Sequence, residues 1–266
     1  MNTNKLGWPI LVALCWTVLL YLMLPTLVAI PVSVTPERYL SLPKGEISFV
    51  HYRTLLTDPT WIKATMQSLM IAAIATGFSL VIGTAAAIGL WRLSSQSAET
   101  VRLLIMAPMI VPSVVSALAF YWFFSRLGLI DTFFGLILAH TVLAIPYVII
   151  AVAASLATIN SRQEQASRSL GASSSQTIRM VILPQIIPGV LTGAVFAFLT
   201  SWDEIVVTLF VASRTVYTLP RRLWDGIQER VDPTIAAAAT VLLLLTVLLI
   251  LVRSIQDRLR EQRAGD

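Results

Sequence analysis

The strongest constraint on the fold of this chain is where its charged residues are missing. Six stretches contain no Asp, Glu, Lys or Arg, and they are 31, 28, 23, 30, 23 and 20 residues long: 6–36, 64–91, 103–125, 132–161, 180–202 and 233–252. A bilayer core about 30 Å thick needs about 20 apolar residues in a helix, because each residue adds about 1.5 Å. Every stretch meets that length, so the sequence predicts an all-α, polytopic membrane protein.

We expect six transmembrane helices within one transmembrane domain, 1–266, that ends in a polar tail, 254–266. The predicted spans are 9–31, 63–91, 102–124, 135–158, 186–210 and 234–253. Only 12% of the residues are charged, about half the share in soluble domains, which excludes an ordinary soluble protein. The first apolar run is longer than the core of a usual signal peptide, so we expect an uncleaved anchor.

The orientation of these spans is open at this point. Six spans place both termini on one side of the membrane, and ten Lys and Arg residues lie on that side against nine on the other. The positive-inside rule needs a clearer excess of basic residues than this.

The polar segment about 160–185, between the fourth and fifth spans, has a regular pattern. Good helix formers run up to Leu170, and Gly171 suits the position just after a helix, where φ turns positive. Ser173, Ser174 and Ser175 offer N-caps for a second short helix that ends at Pro184. The pattern predicts either a compact helix–Gly–helix element that docks a partner or an interfacial hairpin without one.

This segment resembles the coupling loop of binding-protein-dependent ABC importer permeases. That loop reads Glu-Ala-Ala, three residues, Gly, nine residues and Ile-x-Leu-Pro. Counted from Gly171, the triplet falls on Gln165, Ala166 and Ser167, and the last motif falls on 181–184. The spacing matches throughout, two letters of the triplet differ, and Glu164 is the nearest carboxylate.

The resemblance implies a six-helix fold of the type I ABC importer permease class in a bacterial inner membrane. It also implies that 160–185 and both termini are cytoplasmic. In that family the loop docks into a groove of a cytoplasmic ATPase dimer, which binds ATP and Mg²⁺, so this chain needs no cofactor. The residues expected to make this contact are Glu164, Gln165, Ala166, Ser167, Arg168, Leu170, Gly171, Ala172, Ser173 and Pro184.

No motif for catalysis is present in the sequence. It contains no G-x-x-x-x-G-K-[ST] loop for phosphates and no H-E-x-x-H pair for zinc. His140, in the fourth predicted span, is interpreted as a hydrogen-bonded packing residue. We therefore expect a transport subunit and not an enzyme.

Two acidic residues lie within the fifth predicted span. A charge at mid-membrane costs about 2.5–3.5 kcal/mol, so Asp203 and Glu204 are expected to face an aqueous path or a counter-ion. Small residues at four-residue spacing predict close helix contact on one face: Gly189, Gly193, Ala197 and Ser201. On an ideal wheel Glu204 falls on that face and Asp203 about 100° from it, so Asp203 is predicted to face the path.

An aromatic residue next to carboxylates suits an amine cation, so Trp202 joins the predicted pathway, with Tyr121 as a further aromatic. The alternatives are that both acids pair with basic residues in 214–230 and that the aromatics near Tyr121 form an interfacial belt.

The C-terminal third, from Ser201 to Ala236, resembles the second-permease type of the spermidine/putrescine branch. It carries paired acids and a Thr-Leu-Pro stretch before a short helix at about 219–230. The resemblance implies polyamine import or import of a related amino compound such as an opine. Importers of ferric ion or thiamine, and a secondary transporter, remain alternatives.

One six-helix chain encloses a pathway poorly. We therefore expect a heterodimer with a second permease subunit, two ATP-binding subunits and a periplasmic or extracellular substrate-binding protein. Membrane lipid surrounds the assembly, and no nucleic acid is expected.

Overall fold

The computed structural model describes residues 7–93, 96–229 and 232–265, and every regular element in these ranges is a helix. The predicted all-α class is confirmed. The helices follow one another as α1 (Gly7–Ser33), α2 (Val50–Thr57), α3 (Pro59–Arg92), α4 (Gln96–Ile110), α5 (Ser113–Leu127), α6 (Phe133–Leu156), α7 (Ser161–Ser169), α8 (Ser174–Thr177), a π-turn (Ile178–Ile182), α9 (Leu183–Trp202), α10 (Val206–Val211), α11 (Leu219–Glu229) and α12 (Thr234–Gly265).

Five segments of the described chain are long and apolar enough to cross a membrane as single helices. They are Trp8–Ser33, Pro59–Arg92, Phe133–Leu156, Ser174–Trp202 and Thr234–Val252. A sixth is reached only if the bent pair Glu99–Ile110 and Ser113–Leu127 counts as one span. The last helix continues past its apolar part through the predicted tail to Gly265.

The prediction of one continuous helix over 102–124 is wrong. α4 and α5 meet at an angle of 102° around Val111 and Pro112. Pro112 adopts an extended conformation, with φ −53° and ψ 135°, immediately before α5. A proline disfavours helical geometry in the residue before it and has no N–H to donate, so the helix ends at Ile110.

The chain divides into two compact units. One contains residues up to Ile62 together with those from Leu223 onward, and in it α1 and α2 both pack against α12. The other is Lys63–Arg222, in which α6 contacts α4, α9 and α10, and α5 contacts α10.

α6 is the helix around which the second unit is built. Its N-cap is Thr132, whose hydroxyl accepts a hydrogen bond from the Gly135 N–H at 3.0 Å and so caps the first turn. Buried side chains follow one another along its whole length, from Leu136 to Leu156. A helix that is covered on most sides needs no polar face, which explains its almost continuous apolar sequence.

Candidate coupling surface and transport pathway

α7 and α8 form the helix–Gly–helix element that the sequence predicts. Gly171 has φ +87°, its N–H donates to the Arg168 carbonyl at 2.9 Å, and the Ala172 N–H donates to the Ser167 carbonyl at 3.2 Å. These two bonds are the Schellman motif, in which the last carbonyls of a helix find donors. Ser173 then caps α8 in a capping box with Gln176. The connection is therefore a fixed turn.

The predicted end of the second short helix at Pro184 is wrong. α8 continues through the π-turn into α9, so the fifth span begins at Ser174 and not near 186. The Leu183 N–H donates to the Ile178 carbonyl, five residues back. Pro184 follows at the second position of α9. The wider π-turn lets the chain pass a residue that lacks an N–H and would crowd the carbonyl four residues before it.

The two sides of α7 differ in what they contact. Glu164 accepts from Arg92 Nη2 at 2.8 Å, and Ser167 Oγ lies 3.1 Å from Thr177 Oγ1, so this inner side is tied to the rest of the unit. Gln165 and Ala166 are exposed on the other side. Gly171 and Ser173 are exposed in the turn that follows, and Ala172 is half-buried.

Two large apolar side chains stand out from this element. Leu170 at the end of α7 is 89% exposed, and Met180 in the π-turn is 71% exposed. We call the exposed set Gln165, Ala166, Leu170 and Met180 the outer face. Met180 was not among the residues expected to contact a partner. The available signal was its place in the sequence, between the glycine and the Leu-Pro of the motif.

α9 packs against α6 through its small residues, as the sequence predicts. Four residues of α9 are buried in this contact: Gly189, Gly193, Ala197 and Ser201. A methyl group added at Gly189 would lie 2.7 Å from the Ala151 carbonyl oxygen and closer still to the Ser155 hydroxyl. Only glycine allows the two backbones to approach this closely.

The interpretation that Asp203 and Glu204 lie inside a continuous helix, 186–210, is wrong. α9 ends at Trp202, Asp203 is its C-cap, and α10 begins at Val206. The helical wheel therefore does not extend to these residues. The angle of 100° that it gave between their side chains has no meaning here.

His140 holds the two helices on either side of this break. Its Nδ1 lies 2.8 Å from Ser201 Oγ on α9, and its Nε2 lies 3.3 Å from Thr208 Oγ1 on α10. The ring is 1% exposed. It is the hydrogen-bonded packing residue that the sequence predicts. The described residues contain no group of three His, Cys, Asp or Glu side chains that could hold a metal ion.

The two acids at the break have different surroundings. Glu204 is half-buried, and its Oε1 accepts the Val207 N–H at 2.9 Å, so it caps the first turn of α10. Asp203 is exposed. The alternative is that both acids pair with basic residues in 214–230. Within the described residues neither acid forms an ion pair, and Arg230 lies outside those residues. Among the residues that the structure describes, the Asp203 carboxylate therefore has no ion-pair partner.

The aromatic residues of the predicted pathway are not gathered around the acids. Trp202 is half-buried and stacks on Phe198, with ring centroids 5.9 Å apart. Tyr121 is exposed on α5, a helix that packs against α10. No ring contact or hydrogen bond between the described side chains joins Tyr121 to residues 202–204. Beside Tyr121, the Arg126 guanidinium lies 3.9 Å from the centre of the Trp122 ring.

Asp131 is a structural residue that sequence reasoning passed over. Its carboxylate accepts the backbone N–H groups of residues 213–216 at 2.8–3.3 Å, and its own N–H donates to the Val211 carbonyl at 2.8 Å. Burial alone would raise the pKa of this carboxyl, but the four backbone donors hold it well below its ordinary value of 3.8. The one available signal was an isolated acid between Gly128 and the N-cap Thr132.

Comparison with known proteins decides the family. Residues 79–264 match the family described as binding-protein-dependent transport system inner membrane component. The chain belongs to this family. It is a permease subunit of a bacterial ABC importer, a multi-pass membrane protein whose relatives are transport subunits and not enzymes.

Two relatives and one solved structure each match more than three quarters of this permease. The spermidine/putrescine transport system permease protein PotC of Haemophilus influenzae is 30% identical over 246 residues, which cover 92% of this chain and 95% of that protein. The molybdenum transport system permease protein ModB of Mycobacterium tuberculosis is 29% identical over 221 residues, covering 77% and 83%. A crystal structure of a bacterial ABC transporter involved in the import of the acidic polysaccharide alginate has a TM-score of 0.71 at 15% identity, covering 97% and 98%. That last likeness establishes the fold alone.

Proposed function

We propose that this permease carries polyamine cations or a related amino compound across the membrane, with Asp203 as a carboxylate of the pathway. The observation that supports this is the break between α9 and α10, where Asp203 is exposed and has no ion-pair partner in the described part of the chain, while Glu204 caps α10. A free carboxylate favours an ammonium ion and repels an anion. The similarity to PotC agrees with a cationic amine.

The assembly that we propose follows from the family and from the outer face. A dimer of ATP-binding subunits, which carries ATP and Mg²⁺, docks on the outer face, so 160–185 and both termini are cytoplasmic. A second permease subunit completes the pathway as a heterodimer. A substrate-binding protein docks on the opposite side of the membrane near α11, the helix found where the sequence predicts one.

Uptake of labelled putrescine and spermidine by the assembled complex in proteoliposomes tests this function. We expect ATP-dependent uptake by the wild type and a rise of at least about tenfold in the half-saturating substrate concentration for Asp203→Asn. The lost interaction is of the charged hydrogen-bond kind, worth about 1.5–3 kcal/mol.

Glu204→Gln is the matched control, because its amide oxygen still accepts the Val207 N–H; we expect uptake close to that of the wild type. Wild-type uptake of neither amine would overturn the polyamine assignment. Uptake of a labelled opine, ferric ion or thiamine would then identify which of the remaining substrate classes the complex carries. If Asp203→Asn transports like the wild type, Asp203 is not the cation site.

A further inference from the structure

We infer that Arg92 and Glu164 form a positioning contact that passes movement of α7 directly to the membrane span α3. This inference rests on the proposed docking of the ATPase on the outer face. It reassigns Glu164, which the sequence pattern placed among the residues that contact the ATPase.

The ion pair joins parts of the chain that are far apart in sequence. Arg92 is the last residue of α3, and its Nη2 lies 2.8 Å from Oε1 of Glu164, 72 residues further on. The two side chains are only 24% and 17% exposed. A pair so shielded from solvent is screened less than a surface pair, so it fixes the position of α7 more firmly.

A second cation shares the same carboxylate oxygen. Arg168, one turn later on α7, places its Nη2 3.1 Å from Glu164 Oε1, and its side chain is 54% exposed. This contact lies within one helix and faces solvent, so it adds little to the attachment of α7.

The remaining attachment of α7 leads to a different span. Ser167, three residues after Glu164 on the same side of the helix, pairs its hydroxyl with that of the fully buried Thr177 on α8. α8 is continuous with α9. The inner side of α7 is therefore bound to α9 through Ser167 and to α3 through Glu164, and a force on Leu170 reaches two spans at once.

The departure from the family motif fits this arrangement. The acidic position of the motif holds Gln165, which is exposed and neutral, while the acid one residue earlier is directed inward. Adjacent helical residues diverge by about 100°, so one helix presents Gln165 to the partner and Glu164 to α3. The carboxylate that the motif would offer to the ATPase is used inside the permease.

Two readouts separate this inference from the proposed function. The first is the uptake assay on the assembled complex with Glu164→Gln, with Arg92→Gln and with the charge exchange Arg92→Glu/Glu164→Arg. For each single variant we expect the maximal uptake rate to fall by at least about fivefold, with an unchanged half-saturating concentration and the ATPase still bound. We expect the exchange to restore the rate to within about twofold of the wild type. Arg102→Gln, at an exposed cation on α4, is the matched control with no expected change.

The second readout needs no knowledge of the substrate. The chain has one cysteine, Cys15, so Cys15→Ser with Gly89→Cys places a single thiol on α3 in open space. We expect ATP to change the maleimide labelling rate of this thiol at least twofold, and Glu164→Gln to abolish the change. An unchanged ATP response in that variant overturns the inference, even where polyamine uptake fails. Loss of the bound ATPase with Glu164→Gln but not with Arg92→Gln also overturns it, since Glu164 would then contact the ATPase.

Discussion

At the scale of single residues, Asp131 shows how one side chain fixes a distant loop. Its backbone has φ +57°, in the left-handed region that Asp tolerates better than most residues. This conformation lets the carboxylate face the N–H groups of residues 213–216. A turn with four parallel backbone donors is a concave anion site, and here the chain supplies the anion itself.

We expect Asp131→Ala to lower the free energy of unfolding by about 1–2 kcal/mol, less than for a buried charged acceptor because solvent reaches the carboxylate. Asp131→Asn is the milder control, since Asn keeps one acceptor oxygen and tolerates the same backbone conformation. Thermal unfolding of the purified permease in detergent measures both. Equal melting temperatures for the wild type and Asp131→Ala would contradict the role given to these bonds.

The same residue gives a stability difference that depends on pH. The pKa of Asp131 is lower in the folded state than its ordinary value, so its ionised form stabilises the fold. The contribution is complete above about pH 4, is lost as the pH falls through the folded-state pKa, and is unaffected by pH near neutrality. We expect the gap in stability between the wild type and Asp131→Asn to narrow below pH 4. A stability difference that increases below pH 4 would contradict this mechanism.

At the scale of helices, the contact between α6 and α9 depends on two glycines of α9, which have no side chain. Gly189 and Gly193 face Ala151, Ser155 and Val148 of α6 with almost no space for a methyl group. Because lipid offers no hydrophobic drive to pair helices, this close packing carries the stability of the pair.

We expect Gly189→Ala to lower the free energy of unfolding by about 1–3 kcal/mol, as overpacking does elsewhere. Gly89→Ala is the matched control, because a methyl group there meets nothing within 4 Å. The half-life of the folded permease in detergent at raised temperature measures both variants. Equal half-lives would show that α9 can shift on α6 without cost.

The turn between α7 and α8 also depends on a glycine, Gly171. A side chain at Gly171 meets no neighbour within 4 Å, so its φ of +87° alone disfavours other residues. We expect Gly171→Val to reduce transport-coupled ATP hydrolysis at least about tenfold, because the altered turn moves Leu170 relative to α8. Gly171→Asn, which tolerates positive φ, is expected to retain most of it. Unchanged coupled hydrolysis in Gly171→Val would contradict a fixed turn.

At the scale of the whole molecule, the outer face is the surface on which we propose that the ATPase docks. Leu170 is almost fully exposed on an otherwise polar helix, which costs free energy unless a partner covers it. We expect Leu170→Ala to weaken binding of the ATPase subunit by about 1–3 kcal/mol, or about five- to 150-fold. Titration of the detergent-solubilised permease with the ATPase measures this, with Leu42→Ala, an exposed leucine in the segment between α1 and α2, as the control. Equal affinity for both variants places the ATPase elsewhere.

The sequence determined where the apolar spans lie, by the length of its charge-free runs, because a span needs a sufficient length of apolar residues. It also determined the turn at Gly171 and the small-residue face of α9, because both follow from local backbone chemistry and helical spacing. The family followed from the spacing of the coupling motif. Each of these needs only residues near one another in the chain.

Only the tertiary structure decided the rest, because the deciding contacts join residues far apart in sequence. The chain bends at Pro112, whereas the helix continues through Pro184. The difference is that a π-turn before Pro184 accommodates a residue that has no backbone N–H to donate. His140 contacts both sides of the break after Trp202, and Glu204 caps the helix that follows it. Arg92 and Glu164 lie in contact over 72 residues, and Asp131 reaches a loop more than 80 residues away. No local pattern contains these pairings.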